Sequence, residues 1–136
     1  MEQNYYPISN LNTFCKMNSN QLLEVKKQYE SLLAVKDKPH VLDDETVQRV
    51  IKCYTGQKEL LEPERKQFVK WEKEEKLNTT QKEKIKKAYE NLDKKEKIIN
   101  DILSLTKELE KGTINKLMAK SDLELGIEFL SKGFKL

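Results

Sequence analysis

The run from Thr80 to Lys111 limits the fold more than any other stretch, because it carries one long amphipathic helical pattern. Residues 80–83 (Thr, Gln, Lys, Glu) have the form of a capping box, in which a hydroxyl and a carboxylate bind amide groups that the first turn leaves unpaired. Gly112 follows as the left-handed residue that would end the helix. A helix over residues 81–111 would be roughly 46 Å long at about 1.5 Å per residue, more than one small core requires.

The apolar stripe of this predicted helix widens after Glu96. Before that residue it is a narrow seam. After it, six apolar residues spread over roughly 160° of the circumference at about 100° per residue: Ile98, Ile99, Ile102, Leu103, Leu105 and Leu109. One neighbouring helix cannot cover so wide an arc. A second stripe is therefore predicted to face the first helix, the C-terminal segment or another copy of the chain, and it consists of Ile98, Ile102, Leu105 and Leu109.

A second long helix is predicted over about 44–76, with Asp43 as its N-cap. Its apolar residues recur every seven positions, at Val47, Tyr54, Leu61 and Phe68. This phase passes through Pro63 without slipping, which favours one bent helix, although a separate helix beginning at Pro63 fits nearly as well. The link to the helix at 81–111 is so short that we expect the two to form an antiparallel hairpin.

Shorter helices are expected to pack against this hairpin and complete a small all-α bundle. One is predicted from near Asn20 to about Lys36, preceded by a possible flexible or docking arm over residues 1–18. Within this arm the spacing of Leu11, Phe14 and Met17 could make one or two helical turns that pack on the bundle or on a partner. After Gly112 a short helix is expected, and residues 122–130 combine a capping-box match with an alternation that would also suit a strand. We expect residues 1–136 to form a single helical domain.

The composition supports this fold class and offers little for catalysis. Charged residues make up 36% and apolar residues 37% of the chain, with four Gly and three Pro, which is typical of long solvated helices. The sequence has one His and two Cys, and they lack the spacing of zinc ligands. It also contains no calcium-loop motif and no glycine-rich phosphate-binding motif. We therefore expect a non-enzymatic protein with no catalytic residues, no cofactor and no metal.

The sequence shows no signal-peptide pattern and no apolar run of the roughly 20 residues that span a bilayer. A cytoplasmic protein without a membrane interaction is expected. Delivery into a host cell by a specialised secretion system remains open.

The remaining features favour binding to another protein. Trp71 and Phe68 are predicted near the hairpin tip, where an aromatic anchor has little around it, and the second stripe is surplus apolar surface. The predicted partner-binding residues are Trp71, Phe68, Ile98, Ile102, Leu105 and Leu109. The function that follows is an interaction module acting as inhibitor, chaperone or adaptor of a larger protein, with homodimerisation as one version of it.

A nucleic-acid-associated regulator is the alternative. It would use a basic helix face formed by Lys82, Lys84, Lys86 and Lys87. Against it, the 26 basic and 23 acidic side chains nearly cancel, and acidic residues interrupt the basic face.

Overall fold

The computed structural model describes residues 4–120, which contain four α-helices and two short 3-10 turns, at Ile8–Asn10 and Pro39–Val41. The helices are α1 (Leu11–Ala34), α2 (Asp44–Glu74), α3 (Thr79–Glu110) and α4 (Ile114–Lys120). No strand occurs within this range. The predicted all-α bundle is confirmed, whereas the choice between helix and strand for residues 122–130 lies outside the described residues.

Contacts along α3 fix the directions of its two neighbours. Lys84 bonds Asn12 and Lys95 bonds Gln21, partners separated by 72 and 74 positions, so α1 runs parallel to α3. Arg65 pairs with Asp93, and Gln48 with Glu110, so numbers rise along α2 as they fall along α3. The helix α2 is therefore antiparallel to both, and α3 packs against each of them.

The core lies between these three helices. Heptad-spaced apolar residues supply most of it, because positions seven apart fall on nearly the same side of a helix. In α2 they include Val47, Tyr54, Leu61 and Phe68, which the seven-residue phase predicted. The described part of α3 buries seven hydrophobic side chains: Ile85, Ala88, Leu92, Ile99, Ile102, Leu105 and Leu109.

The helix α2 continues through Pro63 as one helix, which is the favoured of the two alternatives that the sequence left open. Asp43 caps its start and accepts a hydrogen bond from the Thr46 amide at 2.7 Å, so the predicted N-cap is confirmed. The start of α3 was predicted two residues too late. Asn78 is the N-cap, and it forms the capping box with Gln81, at 2.8 and 3.0 Å.

The helix α1 begins at Leu11, well before the expected start near Asn20. Residues 11–18, expected to belong to an arm with one or two helical turns, are helical as predicted but form the first two turns of α1 itself. They are held by α3, since Asn18 donates to the Ala88 carbonyl at 3.3 Å and accepts from the Asn91 amide at 2.9 Å.

Gly112 ends α3 for a different reason than the one expected. Its backbone does not adopt the left-handed conformation, and a Cβ placed on it would lie 2.6 Å from the Pro39 Cγ. Glycine therefore allows the chain after α3 to pass directly against the turn between α1 and α2.

Two glycine-to-alanine substitutions should have opposite effects on stability. Gly112→Ala should lower the free energy of unfolding by about 1–3 kcal/mol, because Pro39 and the backbone around it must move. Gly56→Ala, inside α2, should raise it by about 0.5–1 kcal/mol, because the new Cβ meets no atom within 4 Å and glycine disfavours a helix. Urea unfolding followed by circular dichroism measures both. Equal effects would contradict the close approach at Pro39.

The short helix α4 is fastened to the start of α2. The Thr113 hydroxyl donates to the Asp44 carboxylate at 2.5 Å, and the Lys116 ammonium bonds both oxygens of that carboxylate at 3.0 Å. The Asp44 amide in turn donates to the Asn115 side chain at 2.8 Å. These bonds, from Thr113 first and Lys116 second, lower the pKa of Asp44 from its ordinary value.

The attachment of α4 should therefore weaken in acid. A carboxyl whose pKa is lower in the folded state stabilises above its unfolded pKa of about 3.9, and this contribution is lost as the pH falls through the folded value. Amide exchange at Lys116, whose N–H faces the Thr113 oxygen at 3.4 Å, should accelerate as the pH drops from 5 to 2, after correction for intrinsic exchange. In Asp44→Asn the corrected exchange should be fast at pH 5 already. An unchanged profile in that variant would contradict the assignment to Asp44.

Candidate functional site

A groove of about 530 Å³ runs between α1 and α2, with α3 at its base. Although both helices pack on α3, they approach each other closely at few positions, which leaves the groove between them. The lining residues come from the N-terminal segment and all three long helices: Asn4, Tyr6, Phe14, Met17, Gln21, Glu24, Gln57, Leu60, Pro63, Glu64, Gln67 and Lys95.

Large apolar side chains are exposed on both walls of this groove. Met17 of α1 keeps 51% of its surface accessible and Leu60 of α2 keeps 64%. Such exposure is ordinary for single residues, but here the two line one concave surface. The walls therefore offer apolar contact area to an occupant.

The base of the groove is polar and built around Lys95. Its ammonium donates to Gln21 Oε1 at 2.6 Å and to Glu64 Oε2 at 3.3 Å, and the residue is only 4% exposed. A buried ammonium needs such partners, because removing a charge from water is costly. The Lys95–Glu64 pair is neutral as a whole and links α3 to α2 at the centre of the groove.

The N-terminal segment closes one end of the groove. The Tyr6 amide donates to Gln67 Oε1 at 2.7 Å, and the Tyr6 carbonyl accepts from the indole of Trp71 at 2.9 Å. Phe14 meets the Trp71 ring edge-on, with centroids 5.3 Å apart, and Tyr6 lies 5.1 Å from Phe14. The segment is thus tied to α2 by hydrogen bonds and to Phe14 of α1 by a tilted ring contact.

These contacts place the predicted partner-binding residues inside the molecule. Phe68 and Ile102 are fully buried, and Trp71, Leu105 and Leu109 are nearly so. Ile98 is half-buried against the same core. The helix α3, which carries the wide stripe, packs against both α1 and α2. A direct role of these residues in partner binding stays a prediction, and their burial argues against it in this conformation.

The four lysines of the predicted basic face differ in their bonding partners. Lys84 is drawn to Asn12 at 2.6 Å, and Lys87 lies 3.9 Å from Glu90. Lys82 and Lys86 are exposed. The structure therefore brings two of the four lysines to polar partners of the chain itself.

Within residues 4–120, His, Cys, Asp and Glu side chains do not gather in groups of three or more suited to a metal ion. In the same range no helix combines the length and apolar character needed to cross a membrane.

The three long helices form a bundle in which the groove between α1 and α2 leaves one side of α3 partly open. The short fourth helix lies at one end of this bundle. Comparison of the chain with protein-family models, curated proteins and solved structures found no match.

Proposed function

We propose that this protein is a non-enzymatic interaction module that binds a segment of a larger protein in the groove between α1 and α2. The observation that carries the proposal is the exposure of Met17 and Leu60 on the two walls of one concave surface. Binding there would make the module an inhibitor, chaperone or adaptor of that protein. The cytoplasm is the compartment in which we expect it to act.

The chemistry of the groove supports binding over catalysis. Its described lining contains amides, two carboxylates and one ammonium, but no His, Cys or Ser that would serve as a nucleophile or base. Burying an exposed Leu or Met side chain is favourable by about 1.5–3 kcal/mol. The apolar side chains on the two walls therefore offer binding energy to an occupant.

The test compares two substitutions of similarly exposed apolar residues. Full-length wild type, Leu60→Asp and Leu23→Asp are used as baits in the source cell, and the recovered proteins are quantified by mass spectrometry. Leu60→Asp should reduce recovery of a specific partner at least tenfold, because a charge is placed in the contact area. Leu23, which is 55% exposed but does not line the groove, is the matched control.

If Leu60→Asp and Leu23→Asp reduce the recovery of a protein equally, that protein binds outside the groove. Such a result would contradict the groove as the site. Circular dichroism must show that both variants keep the wild-type helix content. Reconstitution of the purified pair then gives the dissociation constants directly.

Two other functions have less support. Homodimerisation through the second stripe would require Ile102 and Leu109, which are 0% and 1% exposed, to leave the core. Nucleic-acid binding would rest on Lys82 and Lys86, whose charges are exposed. A titration with short duplexes at low and moderate salt separates this alternative, since phosphate contacts make binding strongly salt-dependent.

A further inference from the structure

We infer that the occupant of the groove is an amphipathic α-helix of a partner protein, about three turns long, with a basic side chain beside Glu24. The inference rests on the proposed function and names the chemistry of the partner. It follows from the hydrogen-bonding capacity, the length and the charge of the groove.

Hydrogen bonding favours a helix over an extended peptide. Both walls are α-helices, Leu11–Ala34 and Asp44–Glu74, whose interior amides and carbonyls are paired along the helix, except that Pro63 has no amide to donate to the Glu59 carbonyl. An extended peptide would find no sheet edge there and would leave its own backbone groups without partners as water is excluded. A helix satisfies those groups internally and presents only side chains to the walls.

The dimensions of the groove suit a short helix. Its lining runs from Phe14 to Glu24 on α1 and from Gln57 to Gln67 on α2. Each wall is about 15 Å long at about 1.5 Å per residue, which is close to three helical turns. A helix of this length places apolar residues at positions i, i+3 or i+4, and i+7 on one face, as grooves of this kind require. Seated there, it would complete a four-helix bundle.

The charges of the groove favour a basic helix. Its charged lining residues are Glu24, Glu64 and Lys95, so the sum is negative by one charge. The Lys95 ammonium is buried and bound to Glu64, whereas Glu24 is exposed. An incoming Lys or Arg beside Glu24 gains an ion pair, and an incoming carboxylate there is repelled.

A random 14-residue peptide library displayed on phage tests the inference with the full-length chain as the target. Peptides that also bind Leu60→Asp are removed by counter-selection. The expected survivors carry apolar residues at helical spacing and a Lys or Arg on the flank. Fluorescence anisotropy of a selected peptide should show binding weakened about twofold to fivefold in Glu24→Lys, the range for exposed ion pairs, and unchanged in Glu30→Lys, an acid of α1 that does not line the groove.

The other outcomes are distinguishable. Survivors with strict alternation or internal proline would overturn the helical occupant while leaving the groove as a binding site, and acidic survivors would overturn the charge preference alone. A wild-type dimer that Leu60→Asp dissociates would make a second copy the occupant. Phe129 is an apolar residue of the segment 121–136, so stronger peptide capture by Phe129→Asp would make that segment the occupant. Absence of any survivor would contradict the proposed function as well.

Discussion

Replacing Phe68 with alanine should lower the free energy of unfolding by about 3–5 kcal/mol, the range for removing a large aromatic side chain from a core. Phe68 is 0% exposed. Its ring lies edge-on to Trp71 at 5.7 Å and to Tyr89 at 6.3 Å between centroids. The substitution would leave a cavity at the centre of this cluster and remove contacts with both rings.

The measurement also decides between two roles for Phe68. If the residue were an anchor for a partner, exposed in the free protein, its removal would weaken binding and change stability little. Leu60→Ala is the control on the same helix, since Leu60 is 64% exposed and its truncation should change the free energy of unfolding by less than about 0.5 kcal/mol. Urea unfolding of both variants gives the comparison. A small effect of Phe68→Ala would show that the hairpin tip is open in solution.

Phe68 and Trp71 show how far the sequence could predict the core. The seven-residue series through Phe68 is local information, so it predicted the register of α2 and its continuity past Pro63. The cover over Trp71 comes from Tyr6 and Phe14, which lie more than fifty positions away in the chain. No spacing pattern reveals a contact at that separation, so the residue was expected at an open tip.

The helical turns predicted around Leu11 were not joined to α1 because a polar residue occupies an apolar position. Leu11, Asn18, Val25 and Leu32 are seven apart and all buried. An asparagine in such a series normally ends an apolar pattern, yet Asn18 is satisfied here by Asn91 and the Ala88 carbonyl. Lys95 breaks the series Ala88, Ile102 and Leu109 in the same manner. A polar residue in apolar phase was therefore the signal that could have identified this interface.

The groove could not be predicted from periodicity. The apolar face of each helix indicates what it buries against a neighbour, but the separation of α1 and α2 depends on how both pack on α3. The exposed Met17 and Leu60 lie in helices whose patterns look complete without them. The one local sequence feature that indicated the groove was again Lys95, a charged residue at a position where the seven-residue series otherwise has apolar side chains.

Lys95→Ala should lower the free energy of unfolding by about 3 kcal/mol, the lower end of the range for breaking a buried ion pair. The residue left behind is Glu64, whose side chain is 16% exposed and can therefore recover part of its hydration. Gln21 Oε1 also loses the donor that binds it at 2.6 Å. Most of the cost therefore arises from these two partly buried groups, Glu64 and Gln21, which lose the ammonium that binds them.

A double-mutant cycle separates this cost from the loss of the lysine stem. Lys95→Met keeps the volume of the chain, and Glu64→Leu removes the carboxylate. Lys95→Met alone should be destabilising, whereas the double variant should lie within about 1 kcal/mol of wild type or exceed it, as buried pairs replaced by apolar residues do. A cost of the double variant equal to the sum of the two single costs would show that Lys95 and Glu64 are not coupled.

The same cycle tests whether the pair serves the groove or only the fold. In the double variant the floor of the groove is apolar. The bundle should stay stable, but an occupant helix would no longer meet polar groups between the two walls. We expect the double variant to fold normally and to accept apolar peptides with less discrimination, because specificity depends on polar groups that reject an unmatched side chain. Library selection on wild type and the double variant under identical conditions measures this. The same set of survivors from both would restrict the role of Lys95 and Glu64 to holding α3 against α2.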